Sequence, residues 1–209
     1  FDKLRNENRL ISTFDFVSNE ANVYNDGTHG TKVLSTMAGE IEDTYYGTAF
    51  GASYHLFVTE NINAELPDEE FYWLIGAEKA DSLGVDLINT SLGYTTFNNS
   101  DLNHIYADLD GRTTIISKAS EIAANTGMLI VTSAGNEGSN PWHYISAPGD
   151  ADSVITVGAV TENYQKASFS SVGPTVDGRI KPDLAALGEG AAIIEPNGDL
   201  SFANGTSFS

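Results

Sequence analysis

The 209-residue sequence contains no cysteine, which excludes disulfides, thiol nucleophiles and cysteine-based metal sites. Basic residues are also scarce, because 10 lysines and arginines stand against 29 aspartates and glutamates, a formal net charge of −19. This balance excludes a basic nucleic-acid-binding surface and electrostatic docking on anionic lipid. No apolar run approaches the ~18 residues that a membrane span needs.

The remaining composition is that of a globular domain. Hydrophobic residues make up 41% of the chain and charged residues 19%, as in ordinary folded proteins. No repeat or low-complexity linker divides the sequence, so we expect one domain over residues 1–209. The sequence begins at Phe1 without a signal-peptide pattern and stops at Ser209 near a predicted helix start. We therefore expect it to be an internal part of a longer polypeptide.

Strand and helix patterns alternate along the chain. Short apolar runs predict strands, periodic apolar positions predict helices, and Gly84 and Gly127 mark helix ends. The strands are expected at 54–59, 85–91, 128–132 and 154–157, and the helices at 67–83 and 113–126. This order predicts a parallel sheet covered on both faces. Ligand sites in such sheets form beyond the carboxyl ends of the strands, here in the loops 91–93 and 133–138.

One of the four histidines has an unusual context. His29 lies between glycines, in a turn that enters a short helix ending at Gly39. The positive end of a helix disfavours the charged imidazolium, and flanking glycines suggest a close approach by another group. By contrast, we expect His55 to be packed in a strand and His104 and His143 to be surface residues.

Ser207 lies in the C-terminal stretch 202–209. Asn204 or Thr206 is suited to cap a following helix, with Ser207 in its first turn. A serine hydroxyl is a weak nucleophile without a base, so Ser207 is informative only if a histidine reaches it. The Gly-x-Ser-x-Gly elbow of α/β-hydrolases is absent.

Five short motifs, taken in chain order, resemble the motifs of a known protein family. They are His-Gly-Thr, Ser-Leu-Gly, Ser-Ala-Gly-Asn, Ala-Ser-Phe-Ser-Ser-Val-Gly-Pro and Asn-Gly-Thr-Ser. With this series the chain resembles the subtilisin-like serine proteases, over the stretches 26–39, 89–93, 131–138, 147–160, 167–174, 181–188 and 204–209. The resemblance implies a three-layer α/β fold with a mostly parallel sheet and helices on both faces, incomplete at both ends. It also implies an exported, monomeric endopeptidase, extracellular or in the cell envelope, that acts on peptides or proteins.

The resemblance implies a role for each matching residue. His29 corresponds to the general base, Ser207 to the nucleophile, and Asn136 to the side chain that stabilises the oxyanion together with the Ser207 backbone N–H. Residues of two loops correspond to the substrate-binding surface. Ser91, Leu92 and Gly93 match the strand end that pairs with the substrate backbone. Ala134, Gly135 and Ser146 match the pocket for the P1 side chain. Ala147-Pro148 matches a position at which the family often has a cis peptide bond.

The sequence departs from the family at the third triad residue. The family's aspartate lies upstream of the histidine in an Asp-(Ser/Ala/Thr)-Gly turn that this sequence does not contain. Asp15 has the context of the strand after that turn, and Asp26 matches an acid that is not the triad member. We therefore expect the triad aspartate upstream of Phe1. We also expect a gap or open edge in the sheet, and the 209 residues alone to be nearly inactive.

Two other hypotheses about function stay open. The chain is also compatible with a pseudoprotease that keeps the fold as a binding module, although the presence of His29, Asn136 and Ser207 argues against this. The second hypothesis is an acidic structural module that depends on calcium. No cofactor is required by the proposed chemistry, but alternating carboxylates at Asp108 and Asp110 followed by Gly111 suit a calcium ion.

Overall fold

Strands and helices alternate through residues 1–24 and 27–209, the part of the chain that the computed structural model describes. The helices are α1 (Asp2–Asn6), α2 (His29–Ala38), α3 (Asp68–Ser82) and α4 (Ile115–Asn125). The strands are β1 (Leu10–Asp15), β2 (Glu40–Ile41), β3 (Tyr45–Tyr46), β4 (Tyr54–Val58), β5 (Leu87–Thr90), β6 (Leu129–Ser133), β7 (Ile155–Val160), β8 (Leu184–Leu187), β9 (Ala191–Ile194) and β10 (Leu200–Ala203). Short 3₁₀ turns cover Ser100–Leu102, Tyr106–Asp108 and Thr206–Phe208.

The helix predictions are confirmed. Helix α3 ends just before Gly84 and α4 just before Gly127, and both glycines have a positive φ, +72° and +109°. Only glycine adopts this conformation without strain, so it stops a helix efficiently. Three acids in the first turn of α3 are stabilised by the positive end of the helix dipole.

The parallel strands form two separate sheets in the described part of the chain. Strand β1 pairs with β4, and strands β5, β6, β7 and β8 pair in that order, all in parallel. The hairpins β2–β3 and β9–β10 are antiparallel. Within residues 1–24 and 27–209, β4 and β5 each keep one edge without a strand partner.

Helices cover both faces of the strands. Successive side chains of a strand point to opposite faces, and β4 shows both environments. Leu56 packs on a small core with Leu34 and Ala38 of α2, whereas Phe57 packs on the main core. That main core contains Trp73 and Ala77 of α3 and Ile116 and Ala119 of α4. This arrangement confirms the three-layer α/β prediction. None of the described helices is both long and apolar enough to cross a membrane.

A buried carboxylate connects α3 to the start of α4. Glu70 is 1% exposed, and its Oε2 accepts a hydrogen bond from the Ile116 N–H at 3.0 Å. Its Oε1 lies 2.5 Å from His104 Nε2. One side chain therefore satisfies a free N–H group at the start of α4 and anchors the loop that carries His104.

The surface prediction for His104 is wrong. Its ring stands edge-on to Phe97, with centroids 5.2 Å apart, and is bonded to the buried Glu70. A partner 34 residues away leaves no trace in the polar sequence around His104. The other two assignments hold: His143 is exposed, and His55 is half-buried in β4 with Nδ1 2.7 Å from Ser12 Oγ.

We expect Glu70→Ala to lower the free energy of unfolding by about 3 kcal/mol, because it removes one partner of a buried polar contact and leaves the others unsatisfied. Urea unfolding monitored by circular dichroism measures the change. Glu78→Ala is the matched control, since it removes an exposed glutamate from the same helix. Equal stability of the two variants would contradict the anchoring role of Glu70.

Candidate active site

One pocket of about 370 Å³ is lined by His29, Asn136 and Ser207. His29 is the first residue of α2, Asn136 lies in the loop after β6, and Ser207 lies in the 3₁₀ turn after β10. Strand β6 is parallel, so its following loop emerges at the carboxyl edge of the sheet, as predicted. The remaining lining residues are Thr28, Lys32, Ala203, Asn204, Gly205 and Phe208.

Thr206 fastens the turn of Ser207 to the loop of Asn136. Its backbone N–H and its hydroxyl both donate to Asn136 Oδ1, at 2.9 and 3.1 Å. Since the amide oxygen is occupied by these bonds, the Asn136 Nδ2 group is left to donate elsewhere. Thr206 itself is 2% exposed, so the contact is shielded from water.

The capping prediction for this turn is wrong. Asn204 Oδ1 accepts from the Gly190 N–H at 2.8 Å, and Thr206 is engaged with Asn136, so neither side chain caps the turn. Gly205 precedes the turn at a φ of +156°. Long-range partners have thus replaced the local hydrogen bonds that the sequence suggested.

The hydroxyl of Ser207 faces β5 rather than the histidine. Ser207 Oγ donates to the Ser91 carbonyl at 3.3 Å, and Ser91 Oγ donates to the Ser207 carbonyl at 3.1 Å. The His29 ring stands edge-on to Phe208, with centroids 6.0 Å apart. To pass its proton to His29, the Ser207 hydroxyl has to turn away from Ser91. Catalytic hydrogen bonds are commonly long without substrate.

The electrostatic surroundings of His29 favour the neutral form of its ring. Desolvation by the groups packed round its ring lowers its pKa, and the positive charge of Lys32 lowers it further. Lys32 lies one helical turn along α2, and its Nζ is 3.1 Å from Glu195 Oε2. A neutral imidazole is the form that accepts a proton, so these surroundings suit a general base.

No carboxylate within residues 1–24 and 27–209 hydrogen-bonds His29. Asp15 is fully buried at the end of β1, and its Oδ1 accepts from the N–H groups of Val17 and Ser18, at 2.8 and 2.9 Å. Asp26 lies outside the described residues. The expected position of a triad aspartate upstream of Phe1 stays a prediction.

Three of the six predicted substrate-binding residues form a close wall. A Cβ atom on Gly93 would lie 2.2 Å from Ser146 Oγ, and one on Gly135 would lie 2.7 Å from the same atom. A side chain at either position would have to displace the Ser146 hydroxyl, and Gly135 also has a φ of +100°, which favours glycine. The cis bond expected at Ala147-Pro148 is present, and Ala147 pairs with Tyr94 through two backbone hydrogen bonds.

The other three residues lie in different surroundings. Ser91 contacts Ser207, as described above. The Leu92 side chain packs on the main core, which leaves its backbone and the exposed Gly93 for a ligand. Ala134 is fully buried, so its side chain lies behind the surface and supports it.

The Asp108–Gly111 loop does not fit a calcium ion. Asp108 Oδ2 accepts from the Ile105 N–H at 2.8 Å. Asp110 Oδ1 accepts from the N–H groups of Arg112 and Thr113, both at 2.8 Å. These carboxylates stabilise turns rather than converge. In the described ranges, no three histidine or acidic side chains are grouped so that they could hold a metal ion.

A sequence model of the subtilase family matches residues 4–209. The chain belongs to the subtilase family. It is similar to subtilisin NAT of Bacillus subtilis subsp. natto, with 32% identity over 195 residues, and to subtilisin E of Bacillus subtilis (strain 168), with 31%. These alignments cover 92% of the chain and 45% of each relative, so the chain spans less than half of their length.

Solved subtilase structures show the same fold. A cold-adapted subtilisin-like serine proteinase superposes with a TM-score of 0.72 at 23% identity, over 97% of this chain and 63% of that one. The prenylagaramide maturation protease PagA gives a TM-score of 0.67 at 22% identity, over 94% and 63%. The α/β subtilase fold inferred from the motifs is confirmed.

Lys32 is a pocket residue of this subtilase that the motif comparison overlooked. It follows His29 by three positions in α2, and residues three apart lie on the same face of a helix. The spacing was therefore a usable signal. Phe208 and Thr206 carried no such signal, because their contacts depend on how separate segments pack.

We expect Lys32→Met to raise the pKa of His29. A positive charge destabilises the imidazolium, so its removal favours protonation, and the freed Glu195 carboxylate acts in the same direction. An NMR titration of the His29 ring proton measures the shift without any need for activity. Lys118→Met, which removes an exposed lysine from α4, should leave the titration unchanged. An unchanged or lower pKa of His29 in Lys32→Met would refute the effect of the Lys32 charge on His29.

Proposed function

We propose that this subtilase chain is the peptidase domain of a serine endopeptidase, with Ser207 as nucleophile, His29 as general base and Asn136 as oxyanion donor. The observation that carries the proposal is the single pocket that these three side chains share, although they come from α2, the loop after β6 and the turn after β10. A nucleophile, a base and an amide donor from three distant segments rarely meet in one pocket by chance.

The reaction follows from the groups in the pocket. Ser207 Oγ attacks the peptide carbonyl carbon while His29 accepts its proton, and the carbonyl oxygen becomes negatively charged. The C–N bond then breaks, and the imidazolium of His29 gives its proton to the departing amine. In the second half, His29 deprotonates a water molecule, which attacks the acyl-enzyme and releases a carboxylic acid and free Ser207.

Asn136 serves the charged intermediate rather than the substrate. Its oxygen accepts two hydrogen bonds from Thr206, so the amide is held in one orientation and Nδ2 is the atom left to donate to a ligand. Such preorganisation favours the transition state over the bound substrate. The Ser207 N–H is the second proposed donor.

The peptide substrate would lie along the end of β5. The backbone of Ser91, Leu92 and Gly93 runs on from the carboxyl end of β5, where an extended peptide can pair with it. The wall formed by Gly93, Gly135 and Ser146 carries no charge, which favours apolar P1 side chains. We propose an extracellular or envelope location on the basis of the resemblance to exported subtilases.

The pseudoprotease alternative is favoured by one observation, the bond from Ser207 Oγ to Ser91 instead of His29. A fluorophosphonate probe separates the two functions, because it labels only an activated serine. The described residues supply no carboxylate acceptor for the His29 ring, so the 209 residues alone should be labelled slowly. The mature natural protein should be labelled rapidly at Ser207.

In the mature protein, Ser207→Ala should lower kcat by a factor on the order of 10⁶, the loss known for removal of the subtilisin nucleophile. Peptide hydrolysis and probe labelling measure the effect. Ser139→Ala, a change at an exposed serine outside the pocket, should keep both. Wild-type hydrolysis by Ser207→Ala would exclude Ser207 as the nucleophile.

Asn136→Ala should lower kcat by about 10²–10³ with little change in KM, because the lost interaction strengthens only as the oxyanion forms. The magnitude is the one established for the corresponding donor of subtilisin. Asn140→Ala is the matched control in the same loop, where the side chain bonds Glu137 instead of the pocket. A change confined to KM would make Asn136 a binding residue.

A further inference from the structure

Phe208 directly follows the proposed nucleophile, and its ring contacts the ring of the proposed base. It closes the 3₁₀ turn Thr206–Phe208 and lines the same pocket as His29. The centroids of the two rings are 6.0 Å apart, and the ring planes meet at 73°. Aromatic rings prefer this edge-to-face arrangement to a face-to-face stack. The contact therefore connects the turn that carries Ser207 to the first residue of α2.

The Phe208 ring is itself held in place by its own turn. A Cβ atom on Gly205 would lie 3.3 Å from both Cδ2 and Cε2 of the ring, so the ring packs closely on the Gly205 backbone. The Phe208 N–H donates to the Gly205 carbonyl at 3.1 Å. Thr206, which lies between these two residues, is bonded to Asn136. Because its support is fixed, the ring presents a defined surface to His29.

The His29 ring has no hydrogen bond to restrain it within residues 1–24 and 27–209. The histidine rings that are hydrogen-bonded in these ranges are those of His55, His104 and His143. Part of the His29 side chain is open to solvent. An imidazole that rotates freely is seldom aligned with Ser207 Oγ, and poor alignment slows proton transfer. A packed neighbour that limits the rotation of His29 therefore favours the reaction.

The charges around His29 agree with an apolar neighbour. Desolvation by the groups around the ring is the larger cause that lowers its pKa, and the charge of Lys32, whose Nζ is paired with Glu195, is the smaller one. The other elements that line the pocket bring an uncharged amide, from Asn136, and the apolar ring of Phe208. Phe208 is half-buried beside the imidazole, so its ring contributes to this desolvation.

We propose that Phe208 is a positioning residue for His29, whose ring it holds against the turn of Ser207 and partly shields from water. It touches no reacting atom and acts through the orientation of the imidazole. The contact acts together with the triad aspartate that we expect upstream of Phe1. The inference rests on the proposed peptidase function and adds to it a residue that positions the base.

Substitution of Phe208 in the mature protein tests the contact in two ways. NMR titration of histidine-labelled protein, made with Ser207→Ala to prevent self-cleavage, gives the pKa of His29 without turnover. Phe208→Ala should raise this pKa, because it removes an apolar group that disfavours the imidazolium. In the enzyme that keeps Ser207, Phe208→Ala should lower kcat about tenfold with little change in KM. The acid limb of its pH profile should move to higher pH, because an imidazolium cannot accept the serine proton.

Three further variants serve as comparisons. Phe208→Tyr keeps the ring and should keep the pKa of His29 and kcat close to their wild-type values. Phe208→Leu keeps an apolar side chain that supports the turn, but it covers less of the imidazole and should also raise the pKa of His29. Phe202→Ala is the matched control, because it removes a phenylalanine of β10 that is 70% exposed and does not line the pocket. It should leave both the pKa and kcat unchanged.

The outcomes separate the Phe208 contact from the peptidase function. An unchanged or lower pKa of His29 in both Phe208→Ala and Phe208→Leu overturns the positioning role. An equal loss of kcat in Phe202→Ala, or a loss that Phe208→Tyr shares, overturns it as well. A raised pKa of His29 in Phe208→Ala but not in Phe208→Tyr, combined with no hydrolysis by the mature protein, would instead support the contact and overturn the peptidase proposal.

Discussion

The two hydrogen bonds from Thr206 to Asn136 Oδ1 are the constraint on which the arrangement of the pocket depends. They join the turn after β10 to the loop after β6 and so fix Ser207 relative to Asn136. Two hydrogen bonds between Ser207 and Ser91 and one from the Gly205 N–H to the Gly188 carbonyl hold the same turn from other segments. The contact with Thr206 selects the nitrogen of Asn136 as the group that faces a ligand.

His29 reaches this pocket because α2 is tied to the β9–β10 hairpin. The Ile194 N–H donates to Ser35 Oγ at 2.9 Å, and the Tyr45 hydroxyl lies 3.2 and 3.1 Å from the carbonyls of Ser35 and Ala192. The Lys32–Glu195 ion pair adds a contact nearer the pocket. His29 and Ser207 are therefore held by separate segments whose relative position is fixed by tertiary hydrogen bonds.

Charge is distributed unevenly over a chain whose net charge is −19. Lys32 is beside His29, where burial and then the positive charge of Lys32 lower the pKa of His29. Glu60, Glu65 and Glu69 line a cavity beyond β4, where burial and then the charges of Glu69 and Glu65 raise the pKa of Glu60 to about 7. Net charge follows from the sequence alone, whereas the neighbours of each charged group follow only from the fold.

Local sequence patterns were enough to predict the α/β class, the helices α3 and α4 with their glycine ends, and membership of the subtilases. These features depend on local periodicity and on short ordered patterns, which do not need a partner elsewhere in the chain. Other contacts become visible only in the folded chain: Glu70 holds His104, Thr206 holds Asn136, and Ser207 faces Ser91. The fold also brings Glu60, Glu65 and Glu69 to the wall of one cavity. The physical reason is that a hydrogen bond or a shared cavity between distant segments depends on packing, which leaves no periodic signal in the sequence around either partner.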